Sequence, residues 1–188
     1  MKKTKDIISD KVAAVNQILP HTNKWAWDLF IDGAANNWMP TEISMAKDIE
    51  QWRGDSLTED EKLVIKRSLG FFAGSESLVA NNLLLSVFKF VTDPECRQYI
   101  LRQAYEESLH NLTVVYCCDS LGLDIEEVYE AYNSIPSIKA KDTFLMNICT
   151  DINRVDFNIN TLEGKREFLR NLITYYVICE GIFFFSGF

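Results

Sequence analysis

Between Asp93-Pro94 and Gly122 the sequence offers one helix start, one helix stop and no breaker in between, so this stretch alone commits the chain to packing helices. Aspartate caps a helix N-terminus, proline fits the first helical position, and glycine ends a helix in the left-handed conformation. Similar punctuation recurs. Thr58 with Glu61 three residues on forms a capping box. It opens a helix through Leu63, Ile65, Leu69, Phe71 and Phe72 that continues to about Val91. Gly70 and Gly74 lie inside it, each weakening it by roughly 1 kcal/mol, and such glycines mark close packing or a local distortion. Asp124 and Glu127 resemble a second capping box, opening a short helix through Tyr132. Pro136 begins a helix to about Ile152, a polar linker covers Asn153 to Thr161, and a last helix starts near Leu162 and is still running apolar at Phe188.

Toward the N-terminus, Ile7, Ile8, Val12, Val15, Ile18 and Leu19 recur at helical spacing over residues 4–19, and Pro20 ends that stretch. Trp25 to Asn37 reads as helix, and Met39-Pro40 forces an extended or turn conformation. No segment alternates with period two, and there is no repeat or low-complexity tract. The expected architecture is all-α, with helices long enough to form a bundle. A chain of 188 residues fits one domain with a real core, and 47% apolar residues with few Gly and Pro is a globular composition.

The net charge of -8 argues against nucleic-acid binding, which needs a basic surface. Five cysteines (Cys96, Cys117, Cys118, Cys149, Cys179) have no regular spacing and no CxxC pair, and no signal peptide precedes them. They read as reduced and mostly buried, in a cytoplasmic protein. The segment NLITYYVICEGIFFFSGF could be mistaken for a membrane span. It is short for that purpose and carries Glu180 in its middle, so a buried core helix is the better reading and no membrane partner is expected.

The chemistry concentrates in four residues. Glu107 and His110 form an E-x-x-H pair whose spacing puts both side chains on one helix face, where they can share a metal ion or form a surface ion pair. Glu180 is the only charged residue after Arg170. A carboxylate among valine, isoleucine, cysteine and phenylalanine must be protonated, paired or metal-bound. Glu76, flanked by Phe72, Val79 and Ala80, also looks inward, as a ligand or as a partly buried, kink-stabilising carboxylate. Oxygen-rich ligands with one imidazole suit iron or manganese better than zinc. Ferritin-like di-metal proteins use single glutamates on two helices and a Glu-x-x-His on each of two others. Only one such pair occurs here, because His21 has Ile18 where its partner glutamate would stand.

The stretches NKWAWDLFIDGAANNWMPTEISMAKDIEQW, GFFAGSESLVANN, RQYILRQAYEESLHNLTVVY and NLITYYVICEGIFFFSGF, in this order, resemble the small (beta, R2) subunit of class I ribonucleotide reductase. The resemblance runs from Lys24 to Phe188. It implies a ferritin-like helical bundle in which Glu76, Glu107, His110 and Glu180 are metal ligands. It places Trp38 on the tryptophan used for electron transfer near the metals. Glu76 stands where well-known members have aspartate, and Val114 where they have the radical-bearing tyrosine. Both features are similar to the chlamydial-type subclass, which implies a mixed Mn/Fe centre, with Fe/Fe as the alternative. Tyr116 reads either as an electron relay or as a packed aromatic.

The resemblance also implies a homodimer that docks on the large (alpha) subunit and serves reduction of ribonucleotides to deoxyribonucleotides. Family members continue for well over a hundred residues past GIFFFSGF, through the second Glu-x-x-His pair and the docking tail. Residues 1–188 are therefore expected to be a single ferritin-like domain, incomplete at its C-terminus and inactive alone unless a second chain supplies the missing helices. Two other readings stay open: a ligand-binding Mn/Fe oxidase on the same scaffold, against which the NNWMPTEI match argues, and a helical remnant without catalysis.

Overall fold

Helix α4, Pro94–Leu121, is the axis on which the other elements are arranged. The Asp93 carboxylate accepts the backbone N–H groups of Glu95 and Cys96 at 3.0 and 2.9 Å. At the far end Gly122 adopts φ 68°, and backbone bonds return to Cys118 and Asp119. The computed structural model describes residues 6–11 and 14–187. Before α4 come α1 (Lys24–Ala35), α2 (Ala46–Arg53) and α3 (Glu59–Asn81); after it come α5 (Ile125–Tyr129), α6 (Ala131–Ser134), α7 (Pro136–Asp151) and α8 (Leu162–Ile173). A 3₁₀ turn occupies Pro40–Glu42. π-helices extend α3 through Asn82–Val87 and α8 through Thr174–Phe183. Among the described residues there is no strand, only an isolated antiparallel bridge between Ile8 and Val91. The architecture is all-α, as expected.

Helices α1 and α3 both pack along α4. The capping box of α3 forms in full: Glu61 N–H donates to Thr58, and the Glu61 carboxylate accepts the Thr58 N–H at 2.7 Å. Gly70 lets α3 approach α6, because a methyl there would stand 2.5 Å from the Ala131 Cβ. The main core gathers Val79, Leu83, Leu145, Ile152, Phe168 and Phe184. Phe184 meets Phe71 and Phe72 edge-on at 5.5 and 5.2 Å, the arrangement aromatic quadrupoles prefer. Two buried amides, Asn82 and Asn171, exchange hydrogen bonds at 3.0 and 2.9 Å, which joins the π-extension of α3 to α8 without leaving a buried polar group unpaired.

The helix expected over residues 4–19 does not form over residues 6–11 and 14–19; Val12 lies outside the described residues. Ile8 forms an isolated bridge with Val91 instead. Ser9 N–H donates to Phe90 O at 2.9 Å, and Thr92 N–H to Ile7 O at 2.8 Å. Val15 and Leu19, two members of the supposed apolar stripe, are 75% and 65% exposed. No helix face exists there for the core to cover, and pairing with the chain beyond α3 satisfies the backbone. The short helix expected to run through Tyr132 is split into α5 and α6. Asp124 caps α5 as expected, while the Glu127 carboxylate faces Lys66 Nζ at 3.5 Å.

All five cysteines are free, with Cys96, Cys118 and Cys179 buried. The continuous helix Leu162–Gly187 is long and apolar enough to cross a membrane by length and composition alone, yet Phe168, Tyr175, Cys179 and Phe184 on it are buried in the protein core.

Candidate metal centre

Glu107 and His110 stand one turn apart on α4, and Glu76 meets them from α3. His110 Nδ1 lies 3.1 Å from Glu76 Oε2 and 3.2 Å from Glu107 Oε2. One potential ligand atom from each of the three falls within 4.8 Å of the others. The two carboxylates are 5% and 4% exposed, and the imidazole side chain 42%. Glu180 arrives from the π-helix Thr174–Phe183, half-buried, just outside that tight group. Its Oε1 is shielded from solvent and has no hydrogen-bond partner.

The electrostatics show how little compensates these charges. The His110 imidazole is pushed up to about 10 by its bonds to Glu107 and Glu76, against the effect of burial. Burial raises the Glu76 carboxyl, with the His110 partner pulling the other way. Burial first, and then the nearby carboxylates Glu107 and Glu76, push Glu180 up to about 7. Two carboxylates therefore share one imidazole, and a third, Glu180, lies in their field with an oxygen that has no donor. A divalent cation would answer both needs at once, since a buried charge demands a partner. Hard oxygen donors with a single nitrogen suit iron or manganese.

Around this group the helices are fixed by side-chain bonds. Asn111 Nδ2 donates to Glu107 O at 2.9 Å, and Ser77 donates to Asn111 Oδ1 at 3.2 Å, setting the spacing of α3 and α4 beside the site. Gln103 Nε2 donates to Glu107 Oε1 at 3.4 Å, and the Tyr176 hydroxyl donates to Gln103 Oε1 at 2.5 Å. Gln103 and Tyr176 were not singled out in the sequence. Each precedes a carboxylate of the group by four residues, so the i, i+4 rule could have found them.

Trp38 and Tyr116 part company. The Trp38 ring stacks against His110, with centroids 6.1 Å apart and planes at 29°, and its Nε1–H donates to Glu106 Oε2 at 3.0 Å. Arg102 in turn pairs with Glu106. Tyr116 lies nearly opposite Glu107 around α4, at about 100° per residue. Its hydroxyl donates to Ile43 O at 2.8 Å and pins the segment that follows the 3₁₀ turn. Val114, one turn after His110, is buried with Ala73, Cys118 and Val128.

The family model "Ribonucleotide reductase, small chain" matches residues 15–188. The chain is 51% identical over 184 residues to a ribonucleoside-diphosphate reductase subunit beta of Chlamydia pneumoniae, covering 98% of this chain and 53% of that one. It is 26% identical over 174 residues to a ribonucleoside-diphosphate reductase small chain of Arabidopsis thaliana, covering 91% and 46%. Its fold matches the ribonucleotide reductase R2 subunit of Clostridium botulinum with a TM-score of 0.77 at 23% identity, over 98% of this chain and 59% of that one. The chain thus spans about half the length of the relatives it matches. With the match running over nearly its whole length, the chain belongs to the ribonucleotide reductase small-chain family.

Proposed function

We propose that Glu76, Glu107, His110 and Glu180 are four ligands of a carboxylate-bridged di-metal centre in the radical-generating small subunit of a ribonucleoside-diphosphate reductase. The observation that carries this reading is the convergence of Glu76 and Glu107 on His110, with Glu180 in their field and its Oε1 left unpaired, in a chain half identical to a named beta subunit. The remaining ligands come from sequence outside these 188 residues, in the same polypeptide or in a second chain. The metal pair, when bound, supplies the stored oxidising equivalent used in ribonucleotide reduction.

The protein groups do the rest. Glu76 and Glu107 provide buried carboxylates, and Gln103, held by Tyr176, orients the free oxygen of Glu107. Trp38 would pass an electron between the centre and the protein surface, a role supported by its stacking on His110. Its indole proton has an acceptor ready in Glu106 Oε2. Val114 offers no oxidisable ring beside the site, which favours Mn/Fe over Fe/Fe. Tyr116 serves better as a packing anchor than as a relay, since its hydroxyl is committed to Ile43. The partners are a second copy and the large subunit, in the cytoplasm.

Loading the full-length protein with manganese and iron and measuring bound metal tests the ligand set. The expected result is about two ions per chain, with E180Q and H110A each losing at least half of the bound metal. A wild-type protein that takes up neither metal, or variants that load fully, would overturn it.

A further inference from the structure

A second polar feature lies between α3 and the α5–α7 region, apart from the four carboxylate and imidazole groups of the metal centre. A cavity of about 570 Å³ opens there, lined by Gly74, Leu78, Tyr129, Tyr132, Met146 and Asp142 among others. Asp142 is 3% exposed. Its Oδ1 accepts the Ser75 hydroxyl at 3.0 Å, but Oδ2 is shielded from solvent and has no partner. Buried carboxylate oxygens seldom go without a donor, so this one calls for an explanation.

Gly74 stands directly against the orphan oxygen. A methyl at this position would meet Oδ2 at 3.1 Å and the Tyr132 Cβ at 3.5 Å. Glycine thus places no side chain of its own between Oδ2 and the cavity that Asp142 lines. The neighbouring cation does not fill the need: Lys141 Nζ lies over the rings of Phe71 and Phe183, 4.6 and 5.2 Å from their centroids. The exposed carboxylates of Glu126 and Glu130 stand on the cavity wall, and among the described residues no lysine, arginine or histidine lines it. Two tyrosine rings add surfaces that attract positive charge. The volume suits a small organic molecule.

We propose that this cavity binds a small organic cation: an ammonium or amidinium group that donates to Asp142 Oδ2, carried on an apolar body that packs on Leu78, Tyr129, Tyr132 and Met146. The site stands independently of the metal reading, since none of Glu76, Glu107, His110 and Glu180 lines it.

Isothermal titration of the full-length protein with phenethylammonium, and with 2-phenylethanol as its neutral counterpart, tests the proposal. Phenethylammonium is expected to bind in the millimolar range or tighter, and the alcohol at least tenfold more weakly, because only the cation makes a charge-assisted bond. Asp142→Asn removes the charge but keeps an acceptor for Ser75, and should weaken phenethylammonium at least tenfold. Gly74→Ala raises the helix propensity of α3 and leaves every metal-centre side chain in place, yet it should weaken binding to the same extent by covering Oδ2. Thermal melts confirm that each variant is folded. The proposal is overturned if the wild type does not bind phenethylammonium at millimolar concentration, if the alcohol binds equally well, or if the folded variants bind as tightly as the wild type.

Discussion

Replacing Glu95 by glutamine tests whether α4 is anchored by a charge in its first turn. The carboxylate is 1% exposed. Its Oε2 accepts the backbone N–H groups of Thr22 and Asn23 at 2.8 and 2.7 Å and the Thr22 hydroxyl at 3.1 Å, while Oε1 faces His21 Nδ1 at 2.7 Å. Burial pushes this carboxyl up, but the bonds from Asn23, Thr22 and His21 together outweigh it and hold the group at about 2 instead of 4.5. The folded value lies below the unfolded one. The stabilisation is therefore present above pH 4.5 and is lost as the pH falls toward 2. At about 1.4 kcal/mol per pH unit it is worth about 3 kcal/mol at neutral pH.

Glutamine keeps one acceptor oxygen for the three donors at Oε2 and turns an amide NH2 toward His21, so size is conserved and charge is lost. Urea unfolding of both proteins at pH 7 and pH 3 measures the difference. We expect E95Q to be less stable by about 3 kcal/mol at pH 7 and by about 1 kcal/mol at pH 3, where the unfolded carboxyl is mostly protonated and the folded one is not. A difference that is the same at both pH values would refute the charge argument and leave only packing. The site feels the change as well. Residues 21–23 lead into α1, which packs on α4 and precedes Trp38.

Three further substitutions probe the same framework. Gly122→Ala should cost about 1 kcal/mol in a denaturant titration, because φ is positive there while no atom lies within 4 Å to add a clash. Gly70→Ala should cost about 1–3 kcal/mol despite its better helix propensity, since the new methyl meets Ala131 at 2.5 Å; a neutral result would show that α6 moves away freely. Trp38→Phe keeps a ring over His110 but loses the bond to Glu106; under the proposed function, metal uptake should be unchanged while nucleotide reduction measured with a large subunit falls, and equal turnover would refute the electron-transfer role proposed for Trp38.

Where a signal is local, the sequence carried it. The Asp93 and Gly122 ends of α4 and the Thr58–Glu61 box are set by hydrogen bonds within three or four residues, and all three form as expected. The N-terminal segment went the other way for a non-local reason. Its apolar spacing imitates a helix, but Ile8 is claimed by Val91 more than eighty residues away, a contact that periodicity cannot encode. The site divides in the same manner. Glu107 and His110 stood out by their E-x-x-H spacing and Glu76 because a carboxylate among apolar neighbours is costly, and the structure brings the three together. The hold of Tyr176 on Gln103 depends on how α4 meets the last helix, which no spacing rule along one helix reveals.

The last helix shows how a carboxylate can occupy so apolar a segment. Tyr175 and Cys179 are four residues apart and buried, and the Tyr175 hydroxyl donates to Leu145 O at 3.0 Å, so they face α7 and the core. Tyr176 and Glu180 are likewise four apart, one residue further round the helix. Tyr176 bonds to Gln103 of α4, and Glu180 lies in the field of Glu107, Glu76 and His110. Ile173, Val177 and Ile182 are exposed on the outer side. The apolar neighbours that made Glu180 conspicuous thus belong to other faces, and the glutamate stands on the one face that turns toward charged groups. That face falls within a π-helix, where each turn gains a residue and side chains are re-aimed relative to an α-helix. The distortion lets one helix bury Tyr175 and Cys179 in the core and still present Glu180 to the centre, so the apolar composition of the segment and the charge inside it are two consequences of a single geometry.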